Sequence, residues 1–361
     1  MLIADKKREE YSNSLIRYKE EAYDKDISMP KRFCFVLTNL CNLACDYCFQ
    51  IRTKQKNAMN KDQWIDLLKQ IPKGSRITLT GGEPLVFKGF DEVFKEAVKN
   101  HECNIVCNGI MLNEEYIELF LSSENFKVLS ISIENRNNQI RKLANVNEKK
   151  WDEKWAHTEK MMRHFAKRKK ELNHPATLDS KTVVLDENAH ELFDTHIYCI
   201  EELFCDTHSY QFLKGSPIYC CDYMYKFDDI FTKSSAYKYN NWELIKEQLQ
   251  EVKNYNYKNN KLGFLHPKIS DLNIDDSQLD KKIDILNEID HIKENFKPCK
   301  SPWASAHVNV DGTVFPCLAI SMGNVQENSL KEILEGEEYK KFRKVIRDYH
   351  TVEACNRCGW L

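Results

Sequence analysis

Between about residues 33 and 215 the chain alternates a short apolar run with a helical pattern six times over. The runs are Phe33 to Thr38 (FCFVLT), Ile77 to Thr80, Asn104 to Cys107, Val128 to Ile133 (VLSISI), Thr182 to Leu185 (TVVL) and Ser209 to Leu213 (SYQFL). Between them Asp62 to Ile71, Phe90 to Asn100, Glu114 to Leu121, Trp151 to about Leu172 and Ala189 to Phe193 read as helices. Short, nearly continuous apolar runs are the signature of buried strands. Strand–helix alternation requires right-handed βαβ crossovers, and therefore a parallel sheet. Six repeats are too few to close an eight-fold barrel, so the pattern allows a partial barrel or a wound open sheet. Polar residues follow each run, and the C-terminal strand ends are where such folds place their sites.

Composition narrows the setting. The chain has 361 residues and 14 cysteines, and its 53 Lys+Arg nearly balance 55 Asp+Glu. That balance argues against a nucleic-acid binder. The basic stretch Arg163 to Lys170 reads as a solvated helix face. No apolar stretch is long enough to span a membrane, and the charged start lacks a signal peptide's apolar run. A cytoplasmic location is expected, where cysteine in this quantity means metal or redox chemistry.

Two cysteine groups have ligand spacing. The first is Cys41-x3-Cys45-x2-Cys48, directly after the first strand; the second is Cys299, Cys317, Cys355 and Cys358. Three thiolates neither complete a four-thiolate zinc site nor saturate a [4Fe–4S] cube. A fourth ligand from elsewhere would permit zinc; a bound [4Fe–4S] cluster would keep one iron open. Cys34, Cys103 and Cys107 lie in apolar runs and read as core residues. Around the first group stand Gly81-Gly82-Glu83-Pro84 after the second strand, Asn108-Gly109 after the third, and Ser132 and Glu134 at the end of the fourth. Glycines permit close backbone approach to a ligand, and Glu83 offers a carboxylate to an ammonium group.

Taken together, these residues resemble the radical S-adenosylmethionine (radical SAM) superfamily over about residues 33–215. The resemblance rests on the CxxxCxxC run with Tyr47 before its last cysteine, on GGEP, and on the βα order. It implies a partial (β/α)6 TIM-like barrel. By this likeness Cys41, Cys45 and Cys48 would hold a [4Fe–4S] cluster whose fourth iron is chelated by AdoMet. Gly81, Gly82, Glu83 and Pro84 would cradle the methionine amino group. Ser132, Asn108 and Glu134 would contact the AdoMet carboxylate or ribose, and the backbone near Tyr47 the adenine. Arg136 and Lys181, near strand ends, are further candidates for substrate or AdoMet carboxylate. The implied chemistry is reductive cleavage of AdoMet to a 5′-deoxyadenosyl radical that abstracts hydrogen from a substrate.

After Pro298 the texture changes. Ala306 to Val310, Asp311-Gly312 and Thr313 to Phe315 read as a β-hairpin, and Ser329 to Arg347 as largely helical. The C-terminal cysteines could fill a zinc site or a [4Fe–4S] cluster, and spacing alone does not choose. Behind a radical SAM core the pattern resembles the Twitch domain, a truncated SPASM module, which implies one auxiliary [4Fe–4S] cluster. The expected organisation is a helical lead-in (1–32), the partial barrel (33–215), a barrel-completing, substrate-facing region (216–297) with a polar connection at Lys253 to Lys261, and a small α+β auxiliary module (298–361).

The expected reaction is oxidation of a small molecule (a sugar, aminocyclitol or nucleotide-sugar), with the auxiliary cluster accepting an electron. A one-electron donor such as flavodoxin or ferredoxin would be the partner. The short segment ahead of the first strand favours a small molecule or short peptide over a leader-guided one. The alternative is epimerisation or maturation of a short peptide, with Cys220 or Cys221 returning a hydrogen atom; packing of that pair beside Tyr219 and Tyr223 is the plainer reading.

Overall fold

The fold is described from a computed structural model, for residues 14, 17–50, 57–137, 140–141, 149–214, 218, 222–234, 237–266, 284–288 and 296–359. One ten-stranded sheet runs through it, in the order β10-β9-β8-β1-β2-β3-β4-β5-β6-β7. The six expected strands are β1 (Arg32–Thr38), β2 (Arg76–Gly81), β3 (Glu102–Cys107), β4 (Phe126–Ser132), β5 (Thr177–Val184) and β6 (Thr207–Phe212). All are parallel in sequence order. Helices α2 (Lys61–Gln70), α3 (Phe90–Asn100), α4 (Glu114–Leu121), α5 (Lys149–Glu171) and α6 (Leu192–Ile197) connect them. Asn60 starts α2 with a reciprocal cap: its side chain accepts from the Asp62 and Gln63 amides while Gln63 Oε1 accepts from the Asn60 amide. This is a partial (β/α)6 barrel with a C-terminal module.

Two further parallel strands extend it. β7 (Leu262–His266) pairs with β6, and β8 (Ser305–Val308) lies parallel to β1 on the opposite flank. β8 then turns back through Gly312 (φ +82°) into β9 (Thr313–Phe315), as the sequence predicts. The short β10 (Gly323–Asn324) ends that flank. The polar segment Lys253 to Lys261, expected as a connection, belongs mostly to helix α7 (Trp242–Asn259). Its buried residues, Trp242, Ile245, Leu249 and Val252, stop before that segment, so the last turns carry no apolar stripe to read. Gly336 divides the C-terminal helical stretch into Leu330–Leu334 and Glu337–Tyr349.

Side-chain alternation separates the two faces of the sheet. Phe33 and Phe35 share one face of β1, and Phe35 packs 4.9 Å from Trp64 of α2, so that face meets the helices. On β5 and β6 the helix side carries Thr182 and His208, which are hydrogen-bonded, and His208 meets His196 of α6 at 3.0 Å. The inner face therefore carries Cys34, Thr78, Asn104, Val106, Val128, Ser130, Ser132, Asp179, Lys181, Val183, Thr207 and Ser209. Cys103 and Cys107 are core residues on the helix side. Cys34, read as core, is instead on the inner face opposite His307 of β8.

The N-terminal helix α1 (17–24) docks on the C-terminal module. Asp26, just beyond it, accepts from Trp303 Nε1 at 2.6 Å and pairs with Arg347 at 2.9 Å. The buried Arg343 donates to the carbonyls of Ser28, Pro302 and Leu334. No helix among the described residues is long and apolar enough to cross a membrane.

Candidate functional site

The three-cysteine loop leaves the end of β1 and is pinned at once to the end of β2. The Gly82 amide donates to Thr38 O at 2.7 Å and the Glu83 amide to Leu40 O at 2.9 Å. The glycines are required by this approach of two backbones. A Cβ on Gly82 would lie 2.3 Å from Leu40 O, and one on Gly81 (φ +148°) 2.2 Å from Thr38 O. Two backbone amides in turn face the sulfurs: Leu43 N donates to Cys41 Sγ at 3.3 Å and Gln50 N to Cys48 Sγ at 3.5 Å.

Glu83 is fully buried beneath this loop. Its Oε1 accepts from the Leu85 amide at 3.0 Å and its Oε2 from the Asn108 amide at 2.7 Å. Burial holds its carboxyl up to about 7, while the Asn108 and Leu85 amides and the Arg141 charge pull it back. Its side chain thus locks β2 to the turn after β3. Pro84 opens the single turn Pro84–Val86. Asn108 reaches the cysteine loop, donating through Nδ2 to Asn42 Oδ1 at 2.6 Å and lying 3.7 Å from Cys41 Sγ.

Across the site, Tyr47 Oη donates to Glu134 Oε1 at 2.8 Å, and Glu134 Oε2 accepts from the Val183 amide at 2.6 Å. Burial raises the Glu134 carboxyl, against the lowering effect of Arg141. Arg141 is the residue that sequence reasoning missed. It donates through Nη1 to Ser132 O at 2.7 Å, and its charge acts on Cys41, Glu83 and Glu134. Its Nε is buried and has no hydrogen-bond partner among the described residues. Arg136, the candidate chosen for its place near the strand end, instead pairs with Glu202 at 2.5 Å over the Tyr198 ring. The only available signal for Arg141 was a cation in the loop after Ser132, and loop position alone does not assign one.

Lys181 stands on the inner face opposite Ser132 and Ser209 and contacts Asp179 Oδ2 at 3.2 Å. Asp179 also accepts from Ser130 at 2.9 Å, Thr207 at 2.7 Å and Ser209 at 3.0 Å.

The second cysteine group is gathered by the C-terminal module. The Cys299 amide donates to His350 O at 3.1 Å and the Cys358 amide to Cys355 O at 3.0 Å. Burial pushes the Cys317 thiol up, and Cys358, Cys299 and Cys355 push it further, so the four sulfurs form one electrostatic group. Among the described residues no three His, Cys, Asp or Glu side chains form a metal-ion cage. Cys220 and Cys221 lie outside the described residues. Of their flanks, Ile218 O accepts from the Ala319 amide at 2.8 Å and Asp222 accepts from Asn39 at 3.2 Å.

Comparison with known proteins agrees with this geometry. Residues 35–194 match the model of the radical SAM superfamily, and residues 299–359 that of an iron–sulfur cluster-binding domain. The chain thus carries a radical SAM domain and a C-terminal iron–sulfur cluster-binding domain. That pair of domains indicates AdoMet and two iron–sulfur clusters as cofactors. It is 32% identical over 117 residues to the sporulation killing factor maturation protein SkfB of Bacillus subtilis (strain 168), covering 31% of this chain and 28% of that one. It is 28% identical over 120 residues to an S-adenosylmethionine-dependent nucleotide dehydratase of Psychrobacter lutiphocae, covering 28% and 40%. The chain thus spans less than half the length of these curated relatives. In fold it is similar to Streptococcus suis SuiB bound to precursor peptide SuiA, with a TM-score of 0.59 at 16% identity over 90% of this chain and 69% of that one. It is likewise similar to anSMEcpe with bound AdoMet, with a TM-score of 0.59 at 18% identity over 92% and 86%.

The residues present fit these groups. Three sulfurs with an orphaned buried guanidinium donor beside them suit a cluster plus an anionic ligand group. Four mutually repelling buried thiols suit a centre that takes them as thiolates.

Proposed function

We propose that this chain is a radical SAM oxidoreductase acting on a small polar substrate, with a sugar or aminocyclitol as the leading class. The observation that carries this reading is the inner face of the barrel. Beside Val106, Val128 and Val183 it carries hydroxyls and the Asp179–Lys181 pair, a more polar lining than the branched aliphatics that pack a closed barrel of this type. The pair is close to charge-neutral, so it suits hydroxyl and amide groups better than a polyphosphate.

When bound, the first cluster and AdoMet supply a 5′-deoxyadenosyl radical, and the auxiliary cluster an electron acceptor. The chain's own residues hold the reactants. Arg141, whose Nε has no partner among the described residues, offers that donor to the AdoMet carboxylate. Tyr47 and Glu134 fix the wall between the cysteine loop and the ends of β4 and β5. Lys181, with Asp179 behind it, orients a substrate oxygen. Flavodoxin or ferredoxin is the donor class this chemistry needs, and the proposed setting is cytoplasmic.

A second reading is maturation of a short peptide. The likeness to a maturation protein supports it. So does the backbone tie of Ile218 to Ala319, two residues past Cys317, which bounds the segment holding Cys220 and Cys221. Anaerobic incubation with AdoMet and dithionite tests the enzyme claim. 5′-Deoxyadenosine must rise above a no-enzyme control, and a failure to do so sinks it. Deuterated aminocyclitols and sugars, set against short deuterated peptides, then separate the two readings by which class transfers its label to 5′-deoxyadenosine.

A further inference from the structure

Oxidation at a hydroxyl-bearing carbon releases a proton as well as an electron, and one imidazole stands where both would leave. His307 is the third residue of β8 and pairs with Cys34 of β1, so its side chain shares the inner face of the barrel. On the helix side of these two strands Phe33, Phe35, Ala306 and Val308 are fully buried. His307 and Cys34 are only half-buried, and on this face the surface they keep opens on the barrel interior. Beside Cys34 on the same face, Thr78 of β2 has a buried hydroxyl with no partner among the described residues. An unsatisfied buried hydroxyl is costly, and a polar group of a bound substrate would satisfy it.

The other side of His307 belongs to the auxiliary module. Its ring stacks on Phe315 of β9, with ring centres 5.0 Å apart and an angle of 16° between the planes. Its Nδ1 is hydrogen-bonded to the carbonyl of Pro316, and Cys317 is the next residue. A carbonyl only accepts, so Nδ1 carries the ring proton and the lone pair of the neutral imidazole is at Nε2. Burial holds this imidazole down at about 3; the Pro316 carbonyl opposes that, and the Arg32 and Lys214 charges add to it. The Cys34 thiol opposite is pushed up to about 11 by burial and stays neutral. The Lys214 charge acts on Cys34 and Cys317 as well, so the three residues lie around one interior space. In that setting the ring is neutral. A [4Fe–4S] cluster held by thiolates is negative, and each electron it accepts adds a further negative charge. Negative charge nearby favours the imidazolium form.

We propose that His307 is the proton acceptor of the oxidation, taking the substrate's hydroxyl proton on Nε2 as the auxiliary cluster takes the electron. The 5′-deoxyadenosyl radical first removes the carbon-bound hydrogen atom. The O–H bond then breaks and a C=O bond forms; the proton goes to His307 and the electron to the oxidised cluster. Proton and electron reach neighbouring groups, so little charge is separated. This rests on the oxidoreductase reading and on the C-terminal cysteines holding an iron–sulfur cluster.

The test needs no substrate. It uses the full chain carrying Cys41→Ala, Cys45→Ala and Cys48→Ala, so that only the auxiliary centre is reconstituted. Iron analysis comes first. About four irons per chain are expected; zinc in their place overturns the cluster reading, and the proposal with it. The reduction potential is then measured by spectroelectrochemical titration across about pH 5 to 8. With a proton drawn onto His307 at reduction, the potential falls as pH rises, by up to about 59 mV for each tenfold drop in proton activity. A flat profile overturns the proposal while leaving the cluster reading and 5′-deoxyadenosine formation untouched. His307→Asn keeps an amide donor for the Pro316 carbonyl but does not titrate, and its potential is expected to be independent of pH. An unchanged slope in His307→Asn assigns the proton to another group and overturns the proposal. His307→Gln serves as the second variant where the first fails to load iron. If neither loads iron, the ring serves to build the cluster site, and the proton role fails.

Discussion

Tyr47 and Glu134 lie 87 residues apart in sequence, yet the Tyr47 hydroxyl donates to the Glu134 carboxylate at 2.8 Å. That bond ties the cysteine loop to the fourth strand end, and Glu134 carries the tie on to the fifth through the Val183 amide. Tyr47→Phe leaves a buried carboxylate oxygen short of one donor. The expected cost is about 1–3 kcal/mol, read as a lower denaturant midpoint. AdoMet affinity falls with it, because the loop is no longer held against β4.

Arg141 faces the same site with one buried donor unpartnered among the described residues. Arg141→Met is expected to weaken AdoMet binding roughly tenfold or more, about 1.4 kcal/mol at the least. Equilibrium dialysis with labelled AdoMet measures it. Iron content stays at the wild-type level, since the three cysteines are untouched. An unchanged affinity would remove Arg141 from the site.

Gly82 and Gly74 make a matched pair. Gly82→Ala drives a Cβ to 2.3 Å from Leu40 O, next to Cys41, while Gly74 (φ +77°) has nothing within 4 Å of its Cβ position. Gly82→Ala should cost the first cluster, seen as about four fewer irons per chain. Gly74→Ala should cost roughly 1 kcal/mol of stability through backbone strain alone, with iron unchanged.

Glu83 gives the AdoMet-free chain a pH dependence of definite sign. Its carboxyl titrates near 4.5 in the unfolded chain and at about 7 in the fold, because burial disfavours the charge. A raised folded value means the group's contribution is complete below pH 4.5 and is lost as pH rises through 7. The loss is on the order of 2–3 kcal/mol. Denaturation at pH 5 and pH 8 measures it as the difference between wild type and Glu83→Gln, whose side chain does not titrate. Equal pH slopes in the two proteins would rule the mechanism out.

The parts of the fold legible in the sequence are those with an unbroken apolar signal. Phe33, Phe35, Ile77, Leu79 and Ile105 face helices and are fully buried, and each announces its strand. β7 gives no such signal: it is an edge strand whose Leu262 is 61% exposed. The parallel pairing of β8 with β1 joins segments that no local pattern relates. In the site, cysteine spacing and the GGEP turn are readable because the backbone geometry there demands those residue types. The inward turn of the Glu83 carboxylate is not readable, since it depends on where the Asn108 and Leu85 amides point. Arg141 was hidden for the opposite reason, being one cation in a loop rich in polar residues.

The lateral contact between β1 and β8 has a kinetic meaning. β1 leads into Cys41, whereas β9, one strand further out beyond β8, runs the opposite way and leads into Cys317, so the two cysteine groups leave the same sheet in opposite directions. Their spacing is set by hydrogen-bonded ribbon and not by a hinge. An electron crossing between the two centres would tunnel over a fixed gap at every turnover. Its rate would answer to driving force and packing, as along a printed circuit, and not to the timing of a domain swing.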